Sequence, residues 1–442
     1  MKFKKWKCLS LLTVFALSQF MACNPSPLNI TPTTTAASLG LRFPAEWEHQ
    51  GAVWFGWWVT NYGGEETPTE SLMLEMISAL ASHVTIKIAV QNADEEATVR
   101  ALLTAHDISL SHIIFYQLRH NDFWFRDMGP VYLINGDNQK AIIDSGFDYW
   151  SYGISLYGDN PADDEALDRT VASLESLPVL KCNIVSEGGN VDVNGAGTAL
   201  ITKSVALRRN PEKTLQQLED EYKRCYGLKK IIWLERGVVE DDGIYEGILP
   251  GGGFNPGGTA GHVDDYVRFA PGNKILLAEV PQADLDSADT AIRARAEENK
   301  SRLDADLAIL NASTDQDGNP FTIVRIPTAD AFTFELNPGD PFYDYYVSAS
   351  PFEDGSSVTE GDTLTIVATA SYLNFVVSND VVLVPNYWSE GLPTTIQEKD
   401  ADVVEKLQAA YPGRTIVPLH YALGANYGAG GPHCMTQQEP SE

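Results

Sequence analysis

Apolar positions alternate between two rhythms from about residue 41 to residue 440. AVWFGWWV (52–59), a continuous apolar run, reads as a buried strand, and TIKIAV (85–90), HIIFYQL (112–118), VYLI (131–134) and KAIIDSGF (140–147) read as further short strands. Between such runs lie segments with apolar residues three and four apart, the spacing of a helix with one covered face. SLMLEMISALASHV (71–84) and NADEEATVRALLTAHDI (92–108) are two of them. PADDEALDRTVASLESL (161–177) and PEKTLQQLEDEYKRCYGL (211–228) each open on Pro followed by acids, as helix starts do. The longest helical pattern runs over 283–310, and its charged face reads as solvated surface. This strand–helix–strand alternation, with no linker inside it, predicts one mixed α/β domain over residues 41–442.

The start of the chain follows neither rhythm. MKFKKWK precedes an apolar stretch from Cys8 to Ala22, too short to span a bilayer comfortably, and then Cys23. Residues 1–23 are expected to be a bacterial lipoprotein-type signal peptide with Cys23 as the lipidation site. Phe20 and Met21 depart from the usual residues of such a site. Residues 24–40 are rich in Pro, Thr and Ser without apolar periodicity, as a flexible tether would be. The expected location is the periplasm or cell envelope of a bacterium. Cys182 and Cys225 are then candidates for pairing in an oxidising compartment, which leaves Cys434 as a lone thiol.

Charge narrows the partners. The chain carries 31 Lys+Arg against 60 Asp+Glu, a formal net charge of −29. A field of that sign repels nucleic acid and anionic membrane surfaces and draws cationic ligands. Membrane attachment is accordingly expected only through the N-terminal lipid. Solubility alone is the plainer account of such a charge.

Four segments place chemically competent side chains among glycines and aromatics. NDFWFRDMGP (121–130) carries Arg126 and Asp127, and SEGGNVDVNGAGTALIT (186–202) sets Glu187 before two glycines. GTAGHVDDYVRFA (258–270) holds His262 and Asp264 two apart, which on an extended strand projects both to one side. GAGGPHCMTQQEP (428–440) puts Cys434 after a glycine-rich turn. Taken singly, each has a duller explanation: a surface ion pair, a turn, a hydrogen-bonded core pair. Together they supply a nucleophile, a base, an orienting acid and two further carboxylates, the groups that covalent attack on a cationic carbon requires. No GxSxG elbow or GxxxxGK[ST] loop is present, and the adjacent pair His433-Cys434 is poor chelating geometry for a metal.

In this order the segments resemble the agmatine deiminase and bacterial peptidyl-arginine deiminase family of the guanidine-modifying superfamily. FPAEWEHQGAVWFGW (43–57), WFRDMGP, EGGNVDV, GHVDDYVRF, SYLNFVVSNDVVLVP (371–385) and PHCMTQQEP carry the likeness, from about Phe43 to Pro440. The resemblance implies a five-bladed α/β propeller of ββαβ units around a central channel, with no metal and no organic cofactor. By the same resemblance Cys434 is the nucleophile, His262 the general acid/base and Glu187 its orienting acid. Asp127 and Asp264 correspond to the carboxylates that grip a guanidinium, and Asn374 to a polar residue near the nucleophile. The chemistry is coherent, because a guanidinium has planar donors that two carboxylates bind in bidentate fashion.

The pattern is broken at several places near the expected channel mouth. Ala260 stands where the family has an acid, and Trp57-Trp58 replaces Trp-Pro. FDYWS (147–151) replaces Phe-Asn-x-Trp-Gly, a glycine-rich stretch is inserted at 245–258, and 339–363 looks like an acidic insertion or extended loop. Secreted peptidyl-type members carry arginines after the Arg-Asp block. This chain has no Lys or Arg between Lys140 and Arg169, and instead has Asp144, Asp148 and Asp159, which suit a substrate with a second positive charge. The expected reaction is hydrolysis of agmatine to N-carbamoylputrescine and ammonia. Peptidyl-arginine deimination, amidino transfer and a binding lipoprotein without catalysis remain the alternatives.

Overall fold

The computed structural model describes residues 28–58, 67–153, 162–340 and 342–441. The expected signal peptide, Cys23 and Asp159 lie outside these residues. Five sheets among them repeat one plan: an antiparallel strand pair, then a helical crossover to a third strand parallel to the second. Val131–Ile134 and Lys140–Gly146 pair antiparallel, and the latter runs parallel to Val179–Val185. The plan recurs with Val191–Val193, Thr198–Thr202 and Lys230–Leu234, and with Val267–Ala270, Lys274–Glu279 and Thr322–Pro327. It recurs again in Val376–Val377, Val381–Pro385 and Thr415–Leu419.

The remaining sheet joins the two ends of the described chain. Gln50–Gly56 pairs antiparallel with the C-terminal strand Thr436–Pro440 and parallel with Thr85–Val90, which Ile113–Gln117 extends. Thr436–Pro440 is polar in sequence (TQQEP) yet wholly buried. Its charge is met inside the protein: Glu439 sits between Lys87 Nζ (2.5 Å) and Lys140 Nζ (2.8 Å), and Gln438 Oε1 accepts from Arg126 Nη1 (2.6 Å). A buried charge without such partners would be strongly destabilising.

Several boundaries differ from the sequence expectation for local reasons. The helix Leu215–Tyr226 starts at a capping box between Thr214 and Gln217, so Pro211 and Glu212 lie in the turn before it. The 283–310 pattern divides into Gln282–Leu285 and Thr290–Ala312, where Asp289 caps the second helix. That helix is less solvated than its charges suggest: buried Asn299 and Asp306 accept from the main-chain N–H groups of Val239 (2.8 Å) and Glu235 (2.9 Å). Residues 28–40, expected as tether, lie against the body. Thr35 caps a 3-10 turn, Ala36 is fully buried, and Leu28, Ile30 and Leu39 pack on the same apolar cluster.

Cys182 and Cys225 form a disulfide that ties the strand Val179–Val185 to the helix Leu215–Tyr226. The inserted stretch 245–258 and residues 342–363, expected as part of an acidic insertion or extended loop, pack together as one unit. Phe254, Tyr343, Tyr346 and Phe352 share a small core with the two-stranded sheet Thr333–Leu336 and Leu364–Val367. Tyr346 Oη donates to the Asn255 carbonyl (2.7 Å), and the helix Tyr343–Ala349 lies inside what was expected to be a loop.

Candidate active site

Cys434, His262, Glu187, Asp127, Asp264 and Asn374 come together in one buried cluster, each at most 7% exposed. His262 is fully buried, with Nδ1 3.7 Å from Asp127 Oδ2 and Nε2 3.6 Å from Glu187 Oε2. Asn374 Nδ2 donates to Cys434 Sγ (3.1 Å) and to Asp265 Oδ1 (2.9 Å). The Cys434 sulfur stands 3.7 Å from Asp264 Oδ2. His262 and Asp264 do not lie on a strand as expected. His262 precedes a 3-10 turn over Val263–Asp265, and the strand begins only at Val267. The turn, and not strand alternation, sets both side chains against Gly189, with Asp264 reaching Cys434.

The surroundings fix these side chains. Asp127 sits in a one-turn helix, Phe125–Met128, and its two oxygens accept from Gly189 N (2.9 Å) and Trp150 Nε1 (2.8 Å). Glu187 Oε1 accepts from Arg209 Nε (2.5 Å), whose Nη2 donates onward to the Thr259 carbonyl (2.7 Å). The His262 segment is wrapped around buried Asp241, whose carboxylate takes the main-chain N–H groups of Thr259 (2.7 Å), Gly261 (3.1 Å) and His262 (2.8 Å). Ala260, where the family has an acid, takes a left-handed conformation (φ 73°) inside that loop. The helix Thr290–Ala312 holds the chain leading to Asp241 through Asn299 and Asp306, so a remote polar face reaches the site by way of one carboxylate.

Charge in the cluster is uneven. Burial pulls the His262 imidazole down, but Asp127, Glu187 and Asp264 outweigh it and raise it to about 9. Burial likewise opposes ionisation of Glu187, yet Arg209 and His262 lower it to about 2. The Cys434 thiol is pushed well up by burial and then by Asp264, Asp265 and Asp127. The same carboxylates thus favour the protonated ring at His262 and disfavour the thiolate at Cys434. Four buried atoms in the cluster have no hydrogen-bond partner among the described residues: both ring nitrogens of His262, Glu187 Oε2 and Asp264 Oδ1. Buried polar atoms are nearly always paired in proteins; here His262 and its carboxylates meet only at ion-pair range, and Asp264 Oδ1 keeps acceptor capacity that a cation would fill.

A family pattern described as Porphyromonas-type peptidyl-arginine deiminase matches residues 42–440. The chain belongs to this family. Among its relatives, the agmatine deiminase of Medicago truncatula is 25% identical over 416 residues, covering 91% of this chain and 97% of its own. A Selenomonas ruminantium protein provisionally named an agmatine deiminase is 28% identical over 423 residues, covering 92% and 98%. The structure of the Enterococcus faecalis agmatine deiminase is similar in fold: TM-score 0.68 at 24% identity, over 92% of this chain and 98% of that one. The mixed α/β architecture is thus one that solved agmatine deiminases share.

Within this family member, sequence reading passed over several residues of the site. Glu46 and His433 lay in quoted segments without a role, although His433 lies between Asp264 and Glu46. Asp241 and Arg209 lay outside every motif. Asp144 does not offer a free charge to a ligand, since it pairs with Arg169 (2.6 Å) and approaches Lys181 (3.8 Å). Asp148 lies 3.7 Å from Arg209 and stays about one-third exposed at the edge of the site.

Proposed function

We propose that the protein hydrolytically deiminates a small cationic guanidine, with agmatine as substrate, through a covalent intermediate on Cys434. The carrying observation is one buried cluster in which Cys434 Sγ faces Asp264 at 3.7 Å, Asp264 Oδ1 has no partner among the described residues, and His262 meets Asp127 and Glu187 only at 3.7 and 3.6 Å. In this reading Asp127 and Asp264 bind the guanidinium and orient its central carbon. The bound cation offsets the carboxylates that hold the Cys434 thiol up, so thiolate forms and attacks. His262, oriented by Glu187, protonates the departing ammonia and leaves an S-alkylthiouronium. It then takes a proton from water, whose oxygen becomes the ureido oxygen as the C–S bond breaks.

Agmatine is favoured over peptidyl-arginine because nearby arginines are already taken up: Arg209 by Glu187, and Arg208 by Glu353 of the extra unit (2.8 Å). Neither is placed to read a peptide's carboxylate. Peptidyl-arginine is the second reading, favoured by the family description. The five repeated sheets support a five-bladed propeller. The disulfide and the N-terminal segment support an exported lipoprotein acylated at Cys23.

The test is parallel release of ammonia and ureido product from agmatine, arginine and an arginine-containing peptide, using protein without residues 1–23. Agmatine is expected to be turned over with at least a ~100-fold advantage in kcat/KM, the scale of discrimination by a site that fits one charge pattern. Preference for the peptide would replace the agmatine reading with the second one. A pH profile tests the acid assignment. Because the raised His262 is protonated below about 9, kcat/KM is expected to fall as pH climbs through that value. A profile flat to pH 10 would remove His262 as the proton donor.

A further inference from the structure

His433 takes no part in the steps above, yet it holds the carboxylate that does. The residue is 3% exposed, with ring Nδ1 2.6 Å from Asp264 Oδ2 and Nε2 2.6 Å from Glu46 Oε1. Glu46 is itself bound by the Arg268 guanidinium and lies 3.3 Å from Arg126 Nη1. The His433 main chain is fixed as well: its N–H donates to Asn374 Oδ1 (2.9 Å), and its carbonyl accepts from Arg126 Nε (3.3 Å). Each ring nitrogen thus faces a carboxylate oxygen. An ionised carboxylate only accepts, so a ring bonded to two of them must donate from both nitrogens.

This arrangement matters for Asp264. Its neighbours Asp265 and Asp127 are acids, and crowding among carboxylates favours protonation. A protonated Asp264 would lose acceptor capacity at the guanidinium. The contact with His433 occupies Oδ2, the oxygen that also faces Cys434 Sγ at 3.7 Å, and leaves Oδ1 buried without a partner among the described residues.

We infer that His433 is a positioning residue: a buried imidazolium, anchored on Glu46 and Arg268, that keeps Asp264 ionised and turns its Oδ1 toward the substrate guanidinium. This rests on the reading of Asp264 as a guanidinium ligand. It gives the Glu46–His433–Asp264 chain a role in binding that the proposed proton transfers of His262 do not cover.

Two substitutions separate the halves of the ring. The amide nitrogen of asparagine reaches roughly where Nδ1 sits, and that of glutamine roughly where Nε2 sits. His433→Gln is expected to raise KM for agmatine about tenfold or more, the usual cost of losing a hydrogen bond to a charged group, with a smaller fall in kcat. His433→Asn keeps the bond to Asp264 and is expected to recover most of that loss. Equal KM values in the two variants, or a KM for His433→Gln like that of wild type, would overturn the inference. A purely structural role would lower thermal stability and kcat in both without this split.

Nitrogen NMR on histidine-labelled wild-type protein, without substrate, supplies a reading that survives misfolded variants. Both His433 ring nitrogens are expected to carry protons at neutral pH, and one bare ring nitrogen would overturn the inference. If wild type turns over no guanidine at all, the functional reading fails on its own, while the NMR result still decides the state of the ring.

Discussion

Cys434→Ala is expected to lower deimination by more than ~10⁴-fold while leaving guanidine binding within about tenfold of wild type, since removing a covalent nucleophile takes away the chemical step and not the binding groups. The sulfur is the only nucleophile at the junction of Asn374, Asp264 and Asp127 in the proposed scheme. The carboxylates that bind the guanidinium, the His433 contact behind Asp264 and the Arg209 contact behind Glu187 all survive its loss. The removed atom accepts one bond, from Asn374 Nδ2, which still has Asp265 Oδ1 as a partner. Little stability should therefore be lost. Calorimetric titration with agmatine, beside ammonia release, separates the two effects. Ammonia release above about 1% of wild type would mean that water attacks the guanidinium directly, and the covalent scheme would fall.

The sequence was most informative where one physical cause acts alone. The runs TIKIAV and VYLI became strands because both faces are covered, and apart from Lys87, whose charge Glu175 and Glu439 meet, their mainly apolar side chains need no distant partner to explain them. Thr436–Pro440 shows the opposite case. TQQEP gives no apolar signal, and its burial depends on Lys87, Lys140 and Arg126, which are 299 or more residues away in the chain. No pattern read along the chain reveals that pairing. The six residues assigned by resemblance did gather into one cluster, although the strand argument for His262 and Asp264 did not hold. The residues behind them were harder to see. Asp241 works through main-chain N–H groups, which carry no sequence signature, and Arg209 would read as one more helix-end arginine until its guanidinium is found on Glu187. His433 carries no motif of its own beside Cys434, and its role shows only in its contacts with Asp264 and Glu46. Residues 28–40 look like tether because they are rich in Thr and lack apolar periodicity, yet a single buried alanine and a few aliphatic contacts dock the segment.

Gly189→Ala should abolish turnover for lack of space, with the fold intact. A methyl carbon built on Gly189 would fall 2.5 Å from His262 Nδ1, 2.9 Å from Asp127 Oδ1 and 3.2 Å from Asp264 Oδ2. The first two distances are below any normal carbon contact and involve the proposed acid and one guanidinium ligand; the third involves the other guanidinium ligand. The backbone itself does not exclude alanine, since Gly189 is not among the glycines with positive φ. The neighbouring chain has no easy way to yield. Gly189 N is bonded to Asp127 Oδ1, and Gly188 packs its α-carbon so close to Arg126 that an added carbon there would lie 2.3 Å from the Arg126 carbonyl oxygen. The methyl group must therefore displace His262 or Asp127. Overpacking of this kind costs about 1–3 kcal/mol of stability, which a domain of this size tolerates. The same displacement moves catalytic groups by an ångström or so, and misplacement on that scale costs about 100-fold or more in rate. Loss of both acid and binding geometry is expected to lower kcat/KM by ~10³-fold or more. Gly136→Ala is the control, because its added carbon meets nothing within 4 Å in an exposed turn, and it should leave activity unchanged. Circular dichroism and melting temperature establish that both variants fold. A folded Gly189→Ala enzyme with activity within tenfold of wild type would show that His262 and Asp127 do not close on the substrate at this place, and the catalytic assignment of both would have to be withdrawn.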